Sequence, residues 1–205
     1  GGRFGYDDAG TTANTQVVVH DYGDSSLVFE VRGLKTDDYK GSKIGVIFEG
    51  TDGYAVIPSY SSGTVFDKDG NKVQSYSGGG DHFGNFVEAV RSRNHEDLNA
   101  DIEEGHYSSA LCHLGNISYR MGDLLSADAC LERMASIETA ENVKATMERF
   151  LSHLRDNKVD VAGDVVRTGN FMAFNPKTET FVDNKDADAM LTREYRAPFI
   201  VPEKV

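Results

Sequence analysis

The 205-residue sequence has no tryptophan, only four prolines, two cysteines and no long apolar run. With Cys112 and Cys130 alone, a disulfide-stapled scaffold is excluded and one bridge is the most that can form. Each lies in a helix-like stretch, where a small apolar thiol packs as structure. No segment approaches the roughly 20 apolar residues of a membrane-spanning helix. Basic residues are also in deficit. Lys and Arg number 21 against 33 Asp and Glu, a formal charge of −12. That field repels phosphate backbones and anionic lipid, so neither nucleic acid nor a membrane is an expected partner. The acid is spread along the chain and decorates a solvated surface. A soluble protein is expected, with cytoplasmic and exported compartments both open.

Chemical signatures are missing too. The chain contains neither G-x-G-x-x-G nor G-x-x-x-x-G-K-[ST], so no dinucleotide or nucleotide loop is encoded. There is no G-x-S-x-G elbow, no H-E-x-x-H and no C-x-x-C. No catalytic, cofactor-binding or metal-ligating residue is therefore assigned. The chain opens on Gly1-Gly2-Arg3-Phe4, with no initiator Met and no signal-like start, and reads as a piece of something longer.

What is present is an ordinary globular pattern with 39% apolar residues, including eleven Phe and nine Tyr. At this length about 70% of the unfolded surface can be hidden. The first third is β-rich. Strands are expected at 16–22 and 26–32 around Gly23-Asp24, then at 43–49, 54–58, 64–67 and 72–76. Consecutive hairpins predict a mainly antiparallel sheet. Leu27, Phe29 and Val31 are expected on its covered face. Val28, Glu30, Arg32 and Ile47 are expected on an uncovered face used for association.

Helices follow. Asp81 is a plausible N-cap, and Phe83, Phe86, Val87 and Val90 form an apolar stripe ending near Arg93. A second helix is expected over 101–121, stopped by Gly122-Asp123, and a third over 139–157 with Val143, Met147, Phe150, Leu151 and Leu154 on one stripe. After Gly163 the periodicity weakens, with short strands at 171–174 and 180–182 and a short helix within 186–195.

The second helix carries the most information. At 100° per residue, His106, Ser109, His113, Asn116 and Arg120 fall on one narrow stripe beside an apolar stripe of Ala110, Leu114, Ile117 and Met121. A solvated face would carry Lys and Glu instead. Two readings stand: a polar seam lining a pocket or another domain, and a hydrogen-bonded seam internal to the fold. His106 and His113 lie two turns apart, roughly 10 Å, too far to share a metal without further ligands. Gly78-Gly79-Gly80 reads as a hinge. His82 beside it is able to face a ligand. Arg3, Tyr6, Asn14 and Gln16 occupy a polar opening able to contact sugar hydroxyls, or to serve as a loop beside an edge strand.

The run DHFGNFVEAVRSRNHEDLNADIEEGHYSSALCHLGNISYRMG (residues 81–122) resembles the C-terminal domain of the Gfo/Idh/MocA oxidoreductases, in a planctomycete-type branch. GGRFGY, FEVRGL, GYAVIPSY and LTREYRAPF are similar as well, so the resemblance spans nearly the whole chain. It implies an α+β fold, like that of dihydrodipicolinate reductase, with a large, mainly antiparallel open sheet and helices on one face. It also implies a substrate-side and oligomerisation domain over 1–160, with an extension over 161–205 packed on it. The parent enzyme would be an NAD(P)-dependent oxidoreductase acting on a sugar, inositol or related polyol. Its partners would be a Rossmann domain outside this chain and further copies of itself through the sheet.

The family's E-K-P lysine and D-x-x-x-H pair have no counterpart here, so the chain is expected to be inactive alone and to hold no cofactor itself. The positions carried over as substrate-pocket or domain-interface candidates are His82, Asn85 and His106, then Arg3, Tyr6 and Asn14. Two alternatives remain: a non-catalytic binding or scaffold module of the same fold, and part of an NAD-dependent glycoside hydrolase.

Overall fold

Runs rich in Val, Leu and Phe at 15–21 and 26–32 form a long hairpin, the first element of the computed structural model, which describes residues 1–202. Strands β1 (Thr15–Asp21) and β2 (Ser26–Arg32) pair antiparallel from Thr15↔Arg32 to Asp21↔Ser26. Gly23, at φ +90, supplies the left-handed residue in the turn between them. The chain divides into two compact units: Gly1–Lys35 with the stretch from His106 onward, and Thr36–Gly105.

In the first unit the hairpin is covered by α4 (Val143–Asp156). Asn142 caps this helix by accepting a hydrogen bond from the Ala145 N–H, which sets its start four residues later than the periodicity alone predicts. Val143, Met147, Phe150, Leu151 and Leu154 are all buried, as the stripe requires. Phe4, Cys130 and Val166 complete the same core, with Phe4 and Phe150 in edge contact. Cys130 lies on α3 (Ala127–Ala135), a nine-residue helix capped by Ser126. Its thiol meets the Thr168 hydroxyl at 3.0 Å on β8 (Val166–Thr168), which pairs with β7 (Asp123–Leu125). Both cysteines are free thiols, Cys130 buried and Cys112 exposed.

Helix α2 (Ile102–Met121) packs on the other face of β1. Gly115 makes that approach possible: a Cβ there would stand 2.7 Å from Val18 Cγ2. Gln16 Nε2 donates to the Gly115 carbonyl at 3.2 Å, tying strand to helix. Beyond Gly163 a small hairpin, β9 (Phe174–Asn175) with β10 (Thr180–Phe181), and one turn of helix, α5 (Lys185–Asp188), pack Phe181 and Ala187 against Ile117 of α2.

The second unit holds a four-stranded antiparallel meander of β3 (Val46–Gly50), β4 (Gly53–Ser59), β5 (Ser62–Asp67) and β6 (Lys72–Ser77). Helix α1 (His82–Ser92) follows, then a 3-10 turn at His95–Asp97. Asp81 caps α1, its carboxylate accepting from the Gly84 N–H at 2.8 Å, and Arg93 ends it in the left-handed region.

Two expectations are corrected. The protein is a mixed α and β fold, but among the described residues the strands fall into four antiparallel sheets, the widest four-stranded, and not into one large sheet. The faces of β2 are also reversed. Glu30 points toward α4, where it accepts from Arg149 Nε at 3.1 Å and from Arg32, so Val28, Glu30 and Arg32 lie on the partly buried side. Leu27, Phe29 and Val31 are the exposed side. A charge brought under a helix needs its counter-charge there, and Arg149 provides it. In the second unit Ile44, Val46 and Phe48 are likewise exposed, while Ile47 is half-buried.

Candidate functional site

The polar stripe of α2 arises from residues spaced three or four apart, and all five members, His106, Ser109, His113, Asn116 and Arg120, line one cleft of about 1590 Å³ in the first unit. The lining also includes β1 from Gln16 to Asp21, the following Tyr22, and the segment around β9 and β10. Apolar groups from α4, including Met147 and Phe150, contribute its greasy part. The lining is apolar in the main with a few convergent polar groups, the composition of a small-molecule site, although the cleft is wider than one such ligand fills. The stripe borders the cleft, and His106 and Ser109 also make hydrogen bonds within the fold.

His106 is fixed within this wall. Its Nε2 lies 2.9 and 3.1 Å from the two carboxylate oxygens of Glu179, which sits between β9 and β10. Glu179 adopts φ +52, a left-handed conformation that glycine or asparagine fills at lower cost. The Glu179 side chain thus supplies a contact from a strained backbone position. With Nε2 on the carboxylate, Nδ1 is the ring nitrogen left to a ligand. His20 of β1 also lines the cleft, and burial holds its pKa below the usual imidazole range, so it is neutral at pH 7.

Of the other candidates in the first unit, Arg3, Tyr6 and Asn14 do not line this cleft. Arg3 grips the Asp8 carboxylate with two nitrogens and donates to the Thr12 carbonyl at 3.2 Å. Tyr6 donates its hydroxyl to the Gly33 carbonyl at 2.8 Å. Asn14 accepts from the Phe4 N–H at 3.0 Å and donates to the Phe4 carbonyl at 2.8 Å. These three close the opening loop on itself, the polar-loop reading. In the second unit Asn85 donates to the Asp97 carbonyl and accepts from the Asn99 N–H, clamping the segment after α1. His82 is exposed at the start of α1, its ring 4.3 Å from that of Phe83.

A phosphate cradle is not formed. Gly78, Gly79 and Gly80 are exposed, and the N-terminal amide that a phosphate would seek on α1 already serves the Asp81 carboxylate. These residues do not fit a dinucleotide. Among the described residues no group of three or more His, Cys, Asp or Glu is placed to hold a metal, and no helix is long and apolar enough to cross a membrane.

Reading the sequence alone missed Glu179, which is 73 positions from His106 and carries no local signal. It also missed Arg167 and Arg193, which join Arg120 in the cleft lining. No protein-family model, no curated protein and no solved structure matches the chain.

Proposed function

We propose that this chain is the substrate-side and oligomerisation domain of an NAD(P)-dependent oxidoreductase acting on a sugar, inositol or related polyol. The observation that carries the reading is the cleft walled by His106, Ser109, His113 and Asn116. Imidazole, hydroxyl and carboxamide groups both donate and accept hydrogen bonds, as vicinal hydroxyls do, so such a wall suits a polyol. The apolar part of the cleft suits the C–H faces of a sugar ring. The hydride chemistry belongs to the nicotinamide, held by a Rossmann domain outside this chain, and no step of it is assigned to residues here. What these residues do is bind and orient.

Oligomerisation through the sheet is supported by exposure in the second unit. Val46, Phe48, Ala55, Ile57 and Val65 share one face of the meander by register, and Phe48 is 61% exposed. Helix α1 adds Phe83 at 76%. Apolar area of this kind marks an interface.

The test is calorimetric titration of the protein with a panel of sugars and cyclitols. A polyol should bind, and His106→Gln or Glu179→Gln should weaken it about tenfold, the loss of one charge-assisted or well-placed hydrogen bond. Both side chains are about half-exposed, so the thermal midpoint should hold. Absence of binding by every polyol would refute the reading.

A further inference from the structure

On a chain of charge −12, the cleft is lined by three guanidiniums, Arg120, Arg167 and Arg193, against two carboxylates, Asp21 and Glu179. Both carboxylates are engaged. Glu179 holds His106, and Asp21 accepts the Gly23 N–H at 3.1 Å. The guanidiniums outnumber the carboxylates in this lining. Among the described residues neither Arg120 nor Arg193 has a carboxylate partner. Arg167 donates Nη1 to the Gly122 carbonyl at 2.6 Å and lies 5.9 Å from the Tyr119 ring centroid. A carbonyl and a ring hold it in place without neutralising it.

Elsewhere in the same unit some arginines are matched to acid, as in Arg3 with Asp8, and Arg149 and Arg32 with Glu30, while Arg155 and Arg196 have no carboxylate partner among the described residues. What sets the cleft apart is that three such guanidiniums line one concavity. Position at a helix C-terminus accounts for Arg120, which meets the negative end of the α2 dipole. It does not account for Arg167, half-buried on a strand. A guanidinium fixed on one side keeps the rest of its planar fork for a carboxylate or phosphate, which it binds in a bidentate manner. A positive cleft in a negative protein also draws anions in preference to neutral molecules.

From this we infer that the cleft takes an anionic polyol, a sugar or cyclitol bearing a carboxylate or a phosphate, with its acid group on Arg167 and its hydroxyls on the α2 stripe. The inference rests on the polyol reading above and narrows its substrate class.

Matched pairs test it: glucose against glucuronate and glucose 6-phosphate, and inositol against an inositol monophosphate, titrated into the protein at low and moderate salt. The uronate and phosphate arms separate the two sources of charge. At least one anionic ligand should bind about tenfold more tightly than its neutral parent, and the advantage should shrink with salt. Arg167→Gln should bring the pair to parity. Arg120→Gln, at an exposed position, should lower the advantage in part and guards against a variant that fails to fold.

Equal or tighter binding of the neutral parents overturns the inference while leaving the polyol reading intact. An anionic preference that survives both substitutions overturns it as well. Binding of inorganic phosphate or citrate as tight as that of any sugar acid keeps the anion site but removes the polyol. No binding by any member of the panel removes both.

Discussion

At the scale of single residues, Gly115 determines how closely α2 approaches β1. It is buried, and an alanine Cβ would meet both methyls of Val18, at 2.7 and 3.0 Å. In an exposed helix Gly→Ala stabilises by up to about 1 kcal/mol. Here overpacking reverses the sign, and Gly115→Ala should cost about 1–3 kcal/mol in urea unfolding. A neutral or stabilising result would show that Val18 has room to move and that the close approach is not set by the glycine. Glu179 shows the converse case of a residue whose place is set by distant partners. Nothing near it in sequence predicts a left-handed glutamate or its bond to His106.

At the scale of elements, what the sequence showed depended on period and caps. The long signals in α1, α2 and α4 and the hairpins β1–β2 and β5–β6 were legible, because apolar spacing and the Asp81 cap act locally. The shorter helix α3 was not. Its stripe of Ala127, Cys130, Leu131 and Met134 has the right spacing, but two of its members are too small to stand out. Face assignment failed for β2 because alternation shows that two faces exist, not which one meets a helix. The ion pair of Glu30 with Arg149, 119 positions apart, settles that.

The same helix sets a pH dependence. His153 on α4 is buried, its Nε2 has no hydrogen-bond partner among the described residues, and Arg32, Asp156 and Glu30 are the charged groups around it. Burial first, then the Arg32 charge, lowers its pKa. The unfolded chain, with an imidazole near 6.5, takes up the proton first as pH falls. The stability tied to neutral His153 is therefore full above about pH 6.5 and is lost as pH drops through the lowered folded value. Urea midpoints at pH 7.5 and 5.5 should differ, and His153→Gln should reduce that difference. An unchanged slope in the variant would assign the pH dependence to other groups.

At the scale of the whole molecule, the two units present different surfaces. The first buries a core beneath the β1–β2 hairpin and lines the cleft, and the second leaves much of its apolar surface uncovered. That uncovered area predicts association, and light scattering at rising concentration should report a dimer or larger species. Phe48→Glu, set in the middle of the exposed meander face, should shift it toward monomer without lowering the thermal midpoint. A strict monomer at high concentration would leave the exposed face without a role.

The central claim is that these residues bind and orient a polyol while the nicotinamide is held elsewhere. Fluorescence titration of the purified 205-residue protein with NADH, followed by addition of the best-binding polyol and NAD, tests it most directly. The account predicts no NADH binding and no turnover from a protein that nonetheless binds the polyol in a His106-dependent manner. Tight NADH binding with unaided oxidation of the polyol would contradict it.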